Sequence, residues 1–330
     1  MQAFQYASPS TLKEALSLLD TGWGRTEVLA GGTDLLSLMK EYVVTPERVV
    51  NLKAIKELGG IRKSGEGLRI GATVTFDELI GSLLVKSEFP ALVTAAEGVA
   101  SPQIRNLGTV GGDLCQRPRC WYFRSGFGLL AVDKEARSLV PNGENQYHAI
   151  LGNAGPAYFV SASSLGPPLI ALGAKIRVVS ASAQRDVEAA KFFVTPEKPE
   201  ERETVLKPNE VVREIVIPTV RGAGNATYEV RQKQALDWPL ATASVWVVLK
   251  SGIVDSARVV LGHVAPVPWV ASAATESLKG KALTAEVAAQ AGKAAVADAR
   301  PLSQNGYKVQ LAQVAVKRAL QAAAGGTWKG

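Results

Sequence analysis

Two short glycine-rich segments constrain this 330-residue chain more than anything else in it. The first, Ala30-Gly31-Gly32-Thr33-Asp34-Leu35, follows Glu27-Val28-Leu29-Ala30, which reads as a strand, and runs into a helical stretch, Leu35–Lys40. The second is Gly108-Thr109-Val110-Gly111-Gly112-Asp113. Glycine permits positive φ and lets a ligand approach the backbone with no Cβ in the way. A strand–Gly-Gly–helix turn aims successive N–H groups and a helix N-terminus at one spot, which suits phosphate. Two such turns could clasp a diphosphate from two sides, with Thr33 and Thr109 adding hydroxyls. Each turn taken singly also reads as a simple tight turn. Neither fits G-x-G-x-x-G, so a nicotinamide-type Rossmann site is disfavoured, and there is no P-loop.

The rest of the chain alternates strands and helices. Thr11-Leu12-Lys13-Glu14 is a capping box that opens an amphipathic helix carrying Leu12, Ala15, Leu16 and Leu19. Strands are expected at 48–52, at 60–62 and 67–70 around a Ser-Gly-Glu-Gly turn, at 175–179 and at 214–217. Helices are expected from Thr75 to Ile80 and over 90–98, the latter stopping before Ser101-Pro102. Composition shifts at Gly222-Ala223-Gly224-Asn225, where a domain boundary is placed. Beyond it the chain is strand-rich from Thr227 to Val264, helical from Ala271 to Ala299, and helical again from Val309 to Ala323. That order predicts a small antiparallel sheet with helices on one face.

Composition excludes several classes of function. Lys plus Arg number 37 against 30 Asp plus Glu, a formal charge of +7. The surplus favours anions, but the basic residues are scattered, so nucleic acid is not indicated. Cys115 and Cys120 are the only cysteines, too few for a disulfide-stapled domain or an iron–sulfur cluster with four thiolates. With two histidines in the chain, a four-ligand zinc site would need every Cys and His, at spacings that fit no zinc pattern. His148 and His263 read as structural. There is no G-x-S-x-G elbow and no H-E-x-x-H. The longest uncharged stretch, Ala149–Ala174, contains Pro156, Pro167 and Pro168 and is a poor membrane span. No secretory signal is read at Met1-Gln2-Ala3-Phe4-Gln5, so the expected location is the cytoplasm.

One further segment stands out. In Gln116-Arg117-Pro118-Arg119-Cys120-Trp121-Tyr122-Phe123-Arg124, three arginines are interspersed with three aromatics just after the second glycine turn. It reads equally as an anion-holding, stacking surface and as an ordinary loop anchored by its aromatics.

Taken together, these motifs resemble the FAD-binding (medium) subunit of the molybdenum hydroxylases, the xanthine dehydrogenase, carbon monoxide dehydrogenase and aldehyde oxidoreductase group. The resemblance runs over the whole length. It is carried by Ala30–Leu35, Thr109–Leu114, Ser163-Ser164-Leu165-Gly166-Pro167 with Ala171-Leu172-Gly173-Ala174, Arg231–Pro239 with Asp237-Trp238-Pro239, and Pro301–Lys308. It implies an α+β fold. A PCMH-type (vanillyl-alcohol-oxidase-like) FAD-binding domain of two α/β subdomains, about 1–57 and 58–222, would precede a carbon monoxide dehydrogenase flavoprotein C-terminal domain, 223–330. It implies that Leu29, Ala30, Gly31, Gly32, Thr33, Asp34 and Leu35 wrap the FAD pyrophosphate. Gly108, Thr109, Gly111, Gly112 and Asp113 would contact phosphate and ribityl, and Ser164 and Leu165 the nucleotide. Val99, Val212 and Glu229 stand at further positions where relatives touch the cofactor.

There are departures from the family pattern. Ser164 replaces the Asp of a Ser-Asp-Leu motif, and Asp113 replaces an Asn, which puts an acid beside a diphosphate unless it points away or caps the next segment. One subgroup shares the arginine–aromatic run and carries a four-iron cluster on four Cys. Only Cys120 keeps such a position here, Ala157 occupies another, and no four-iron cluster is expected. The implied role is electron transfer. Hydroxylation would occur on a large molybdopterin subunit, and electrons would pass through two-iron clusters of a small subunit to FAD and on to an acceptor. A signal-bearing partner could export the complex. A self-contained FAD oxidase and a scaffold that has lost FAD are the alternatives. A bulky side chain at Gly32 or Gly111 is expected to fall where phosphate oxygens sit.

Overall fold

The chain builds three separate sheets, and the site lies where the first two meet. The computed structural model describes residues 1–219, 222–233 and 235–325. Val220 and Arg221 before the expected boundary, Gln234 of the Arg231–Pro239 motif and the last five residues of the expected C-terminal domain lie outside that set.

The first sheet has the order β1-β3-β2, made of β1 (Gln5–Ala7), β2 (Thr26–Leu29) and β3 (Arg48–Asn51), all parallel. Parallel neighbours require crossovers. Leu12–Ser17 supplies the first, opened by the expected capping box between Thr11 and Glu14. The second crossover carries the first glycine turn and the helix Leu35–Lys40.

The second sheet comprises β4 (Ile61–Ser64), β5 (Gly67–Gly71), β6 (Lys175–Val179), β7 (Gln184–Glu188) and β8 (Val211–Ile217), in the order β4-β5-β8-β6-β7 and antiparallel throughout. Helices pack on it through the largest core, which joins Leu68, Ile70, Ile176 and Ile215 to Phe76, Leu79, Leu92 and Leu169. Burial of such side chains contributes roughly 1.5–3 kcal/mol each.

The third sheet, β12-β11-β10-β9, is formed by β9 (Ala223–Val230), β10 (Ala241–Lys250), β11 (Ile253–Gly262) and β12 (Trp269–Val270), again antiparallel. Ser272–Leu278, Ala285–Ala295 and Tyr307–Ala323 share its core, with alanines at the close helix contacts. The expected single helix from Ala271 to Ala299 is therefore two. Gly280 at φ +73° turns the chain, and Thr284 caps a new start by accepting from the Val287 amide. Asn225 joins this sheet to the helix Pro90–Glu97: its carbonyl accepts from the Ala91 amide and its Nδ2 donates to the Glu88 carbonyl. No helix among the described residues is long and apolar enough to cross a membrane.

Candidate functional site

The two glycine turns meet. A Cβ on Gly31 would lie 2.0 Å from the Leu107 carbonyl oxygen and 2.9 Å from the Gly108 Cα, so only glycine permits the first turn to lie against the second. Gly32 follows at φ +75°, which turns the chain from β2 into its helix. Among the described residues, the amides of Gly31, Gly32, Thr33 and Asp34 have no protein acceptor. Asp34 occupies the N-cap position but makes no capping bond.

The second segment, expected as a turn, is the start of a helix, Val110–Cys115. Thr109 caps it by accepting from the Gly112 amide at 3.1 Å. Its amides are occupied by the protein itself. Val110 N donates to the Val74 carbonyl and Gly111 N to the Ala72 carbonyl, both at 2.8 Å, and Asp113 N donates to the Thr109 carbonyl at 2.9 Å. Gly108 N is bonded to the Ile104 carbonyl. This corrects the expectation of two equivalent sets of N–H donors: one turn offers amides, and the other forms a wall. The expectation for bulky substitutions changes too. A Cβ on Gly111 would lie 2.8 Å from the Ala72 Cβ, in the interior, and one on Gly32 would touch the Leu29 and Leu36 side chains. At the Cβ both substitutions meet protein atoms, and at Gly32 the positive φ adds backbone strain.

A cleft of about 450 Å³ opens between the turns. Ala30, Gly31, Gly32, Thr33, Asp34, Leu35, Gly108, Thr109, Gly111, Gly112, Asp113 and Ser164 of the expected site line it, as do Val99 and Val212. Leu29, Leu165 and Glu229 do not. Leu29 ends β2 with its side chain under Gly32, Leu165 is wholly buried in the main core, and Glu229 lies behind Gly98.

Asp113 points away from the cleft opening. Its carboxylate accepts from Ser163 Oγ at 2.6 Å, Leu165 N at 2.9 Å, Ser164 N at 3.1 Å and Gln116 Nε2 at 2.9 Å. Burial pushes this carboxyl up and the four hydrogen bonds pull it back. The acid therefore fixes the Ser163-Ser164-Leu165 segment, the entry to the helix Gly166–Ala171, against the second turn. An acid on the second turn holds the motif whose usual acid is missing.

Asp34 is the other hub. It accepts from Arg117 N at 2.8 Å and Arg124 Nη2 at 2.7 Å, and pairs with Arg119 Nη1 at 3.0 Å. The arginine–aromatic run is anchored by an aromatic and turns two of its arginines toward the cleft. Phe123 anchors the loop in a small core with Leu38, Leu129, Leu130, Ala157 and Phe159, and Cys120 packs beside it. Arg117 and Arg119 line the cleft, Arg117 paired with Glu203 and Arg119 stacked 4.4 Å from the Trp238 ring. Cys115 also lines the cleft, and burial pushes its thiol up to about 12, so it carries no thiolate. Cys120 Sγ lies 3.2 Å from His148 Nε2, and burial pulls His148 down to about 4. His263 is buried, with burial holding it near 3, so both histidines are neutral parts of the framework.

Sequence reasoning gave no role to several lining residues: Trp23, Glu27, Arg202, Glu203, and Trp238 of the quoted Asp-Trp-Pro motif. Arg202 stacks 4.4 Å from Trp23 and pairs with Glu27 at 3.3 Å. No local pattern marks a pair separated by 175 positions.

Residues 2–220 match the family described as the FAD binding domain in molybdopterin dehydrogenase, and residues 226–323 the CO dehydrogenase flavoprotein C-terminal domain. The chain belongs to this flavoprotein family. It is 32% identical over 325 residues to the carbon monoxide dehydrogenase medium chain of Hydrogenophaga pseudoflava, covering 97% of this chain and 96% of that one. It is 28% identical to the aldehyde oxidoreductase FAD-binding subunit of Escherichia coli (strain K12), covering 95% and 96%. Among solved structures, the carbon monoxide dehydrogenase from H. pseudoflava that lacks the Mo-pyranopterin moiety superposes with a TM-score of 0.77, at 31% identity and 98% of each chain. Members of the flavoprotein family are oxidoreductase subunits.

Proposed function

We propose that this chain binds FAD in the cleft between its two glycine turns and serves as the electron-transfer subunit of a molybdenum hydroxylase. One observation carries the proposal: the unpartnered amides of Gly31, Gly32, Thr33 and Asp34 stand on the wall of a cleft that the second turn closes from the other side. Those four groups are donors of the kind a diphosphate takes, at the point where a strand gives way to a helix. In this proposal Ala30–Leu35 hold the diphosphate. Gly108, Thr109, Gly111 and Gly112 shape the opposite wall, Asp113 positions Ser164 from behind, and Val99 and Val212 supply apolar contact. When bound, FAD accepts electrons singly and gives up two to an acceptor, while the protein binds, orients and excludes water.

The partners are proposed from the family: a large subunit with the molybdopterin cofactor and a small subunit with two-iron clusters. The proposed location is the cytoplasm, with export on a signal-bearing partner as the variant. The domain division at 222/223, with subdomains about 1–57 and 58–222, is likewise proposed. The three sheets and the two matched ranges support it.

The test is purification of the intact complex through a tag on this chain. The expected result is a yellow complex with flavin near one per copy of this chain, together with molybdenum and iron held by other subunits. A single-subunit protein whose flavin is bleached by its own substrate would point to a self-contained oxidase. A complex that stays colourless and takes up no added FAD would overturn FAD binding.

A further inference from the structure

We infer that Arg119 is a direct charge partner for the diphosphate of the bound dinucleotide, held in place by Asp34 and by Trp238 of the C-terminal domain. The inference rests on the proposal of FAD binding above and adds a residue to that site.

A diphosphate brings two negative charges, yet the cleft wall is rich in acids. Most of these are already matched: Glu203 by Arg117 and Glu27 by Arg202. Asp34 is different, because one carboxylate serves two guanidinium groups, Arg119 and Arg124. That cluster carries one positive charge in excess. Arg119 Nη1 and Nη2 each keep a second N–H beyond the bonds to Asp34 and Gln116, whereas Arg119 Nε and Arg124 Nη1 are closed off from solvent with no acceptor among the described residues. A buried, unpaired donor on a charged group is costly. Of the two, only Arg119 lines the cleft.

Its placement is over-determined. Nη1 meets Asp34 at 3.0 Å, Nη2 donates to Gln116 Oε1 at 3.0 Å, and the plane lies 4.4 Å from the Trp238 ring. Asp34 itself belongs to the first turn, so the guanidinium is fixed beside the free amides of that turn. Burial also pulls Arg119 down to about 10, with Asp34 opposing; a group so desolvated gains from a further anion. The Asp34 carboxylate thus acts as a positioning group, while the Asp34 amide stays among the proposed phosphate donors.

The experiment uses the assembled complex stripped of flavin. Binding of FAD, ADP and riboflavin is measured for wild type, Arg119→Gln and Arg119→Lys. The expected result is a loss of about ten- to a hundredfold in affinity for FAD and for ADP in Arg119→Gln, the loss of one charge-assisted hydrogen bond. Riboflavin, which has no phosphate, should bind all variants alike. Arg119→Lys should recover part of the loss, since it keeps the charge without the planar fork. Equal weakening of all three ligands would show that Arg119 only supports the loop and would overturn the inference. Unchanged FAD and ADP binding in Arg119→Gln would overturn it as well. Wild type that takes neither FAD nor ADP would instead remove the underlying proposal.

Discussion

The first glycine turn leaves four successive amides without protein acceptors, whereas the second uses the amides of Gly108, Val110, Gly111, Gly112 and Asp113 internally. Both are written Gly-Gly followed by a polar or acidic residue, so the contrast comes from what surrounds the glycines. Before the first pair runs a strand, and Gly32 at φ +75° ends it abruptly, which detaches the following amides from any ladder. Before the second pair stands Thr109, whose extended backbone and side-chain oxygen start a helix at once. The acids after the glycines diverge in the same way. Asp34 turns outward to collect arginines from a distant loop, while Asp113 turns inward to hold a distant backbone segment. A Gly-Gly pair therefore marks close approach to neighbouring backbone, and the residues around it decide whether the amides that follow are left free or are used by the chain itself.

The sharpest way to break this contrast is at the contact between the turns. Gly31→Val would drive a side chain into the Leu107 carbonyl, and the turns would have to part. We expect a loss of roughly 3 kcal/mol or more in chemical denaturation and loss of flavin from the complex. Gly112→Ala is the matched control. The added Cβ meets Thr109 Oγ1, at 2.9 Å, so the cap must shift; a loss of about 0.5–2 kcal/mol, smaller than at Gly31, and retained flavin are expected. Equal damage from both would mean that the turns do not differ as described.

Second in size is Asp113→Ala, which strips acceptors from Ser163, Ser164, Leu165 and Gln116 at a buried position. A loss of about 2–3 kcal/mol is expected from urea unfolding, with Asp113→Asn recovering part of it because the amide oxygen still accepts. A neutral Asp113→Ala would show that the Ser163–Leu165 segment is held by packing alone.

The smallest effect is electrostatic. Glu229 Oε2 is buried without a hydrogen-bond partner beside Gly98. Burial pushes its carboxyl up to about 7, Arg231 pulling against this and Asp113 adding to it. Between about 4.5 and 7 the folded chain holds the proton that the unfolded chain has lost. This group therefore makes stability fall as pH rises through that window. Glu229→Gln should flatten the stability profile between pH 4.5 and 7. A profile identical to wild type would place the charge in contact with solvent.

Much of this was legible in the chain. The capping box at Thr11, the β-branched strands at 48–51 and 175–179 and the helix over 90–97 follow from local pattern alone. So does the place of the first turn, since a strand ending in Gly-Gly before a Leu-rich stretch has few other foldings. Other elements carried a signal that was underweighted. Ser101-Pro102 reads as a helix stop, yet Ser at N-cap with Pro at the first helical position is also a start, and Pro102–Leu107 is a helix. Thr109 should have announced Val110–Cys115 in the same way. β7 has no such signal: Gln184–Glu188 is polar and becomes a strand only because β6 offers an edge. The roles of Arg117, Arg119 and Arg124 were out of reach for a different reason. Their partners Asp34, Glu203 and Trp238 lie about 80–120 positions away, and no spacing rule reaches that far.

The loop that carries those arginines is tied down from the far end of the chain. Lys308 is buried, and its Nζ donates to the carbonyls of Tyr147, His148 and His263 at 3.1, 3.2 and 2.6 Å. Asn305 donates to the His148 and Ala149 carbonyls, and Tyr307 Oη to the Gln146 carbonyl. His148 in turn sits against Cys120, the neighbour of Arg119. During synthesis, then, the first glycine turn emerges about 270 residues before Lys308, and the arginines that pair with Asp34 sit on a loop whose tether comes with that lysine. A nascent chain halted before residue 308 would own the first turn and lack the lysine that ties down the segment behind the arginine loop.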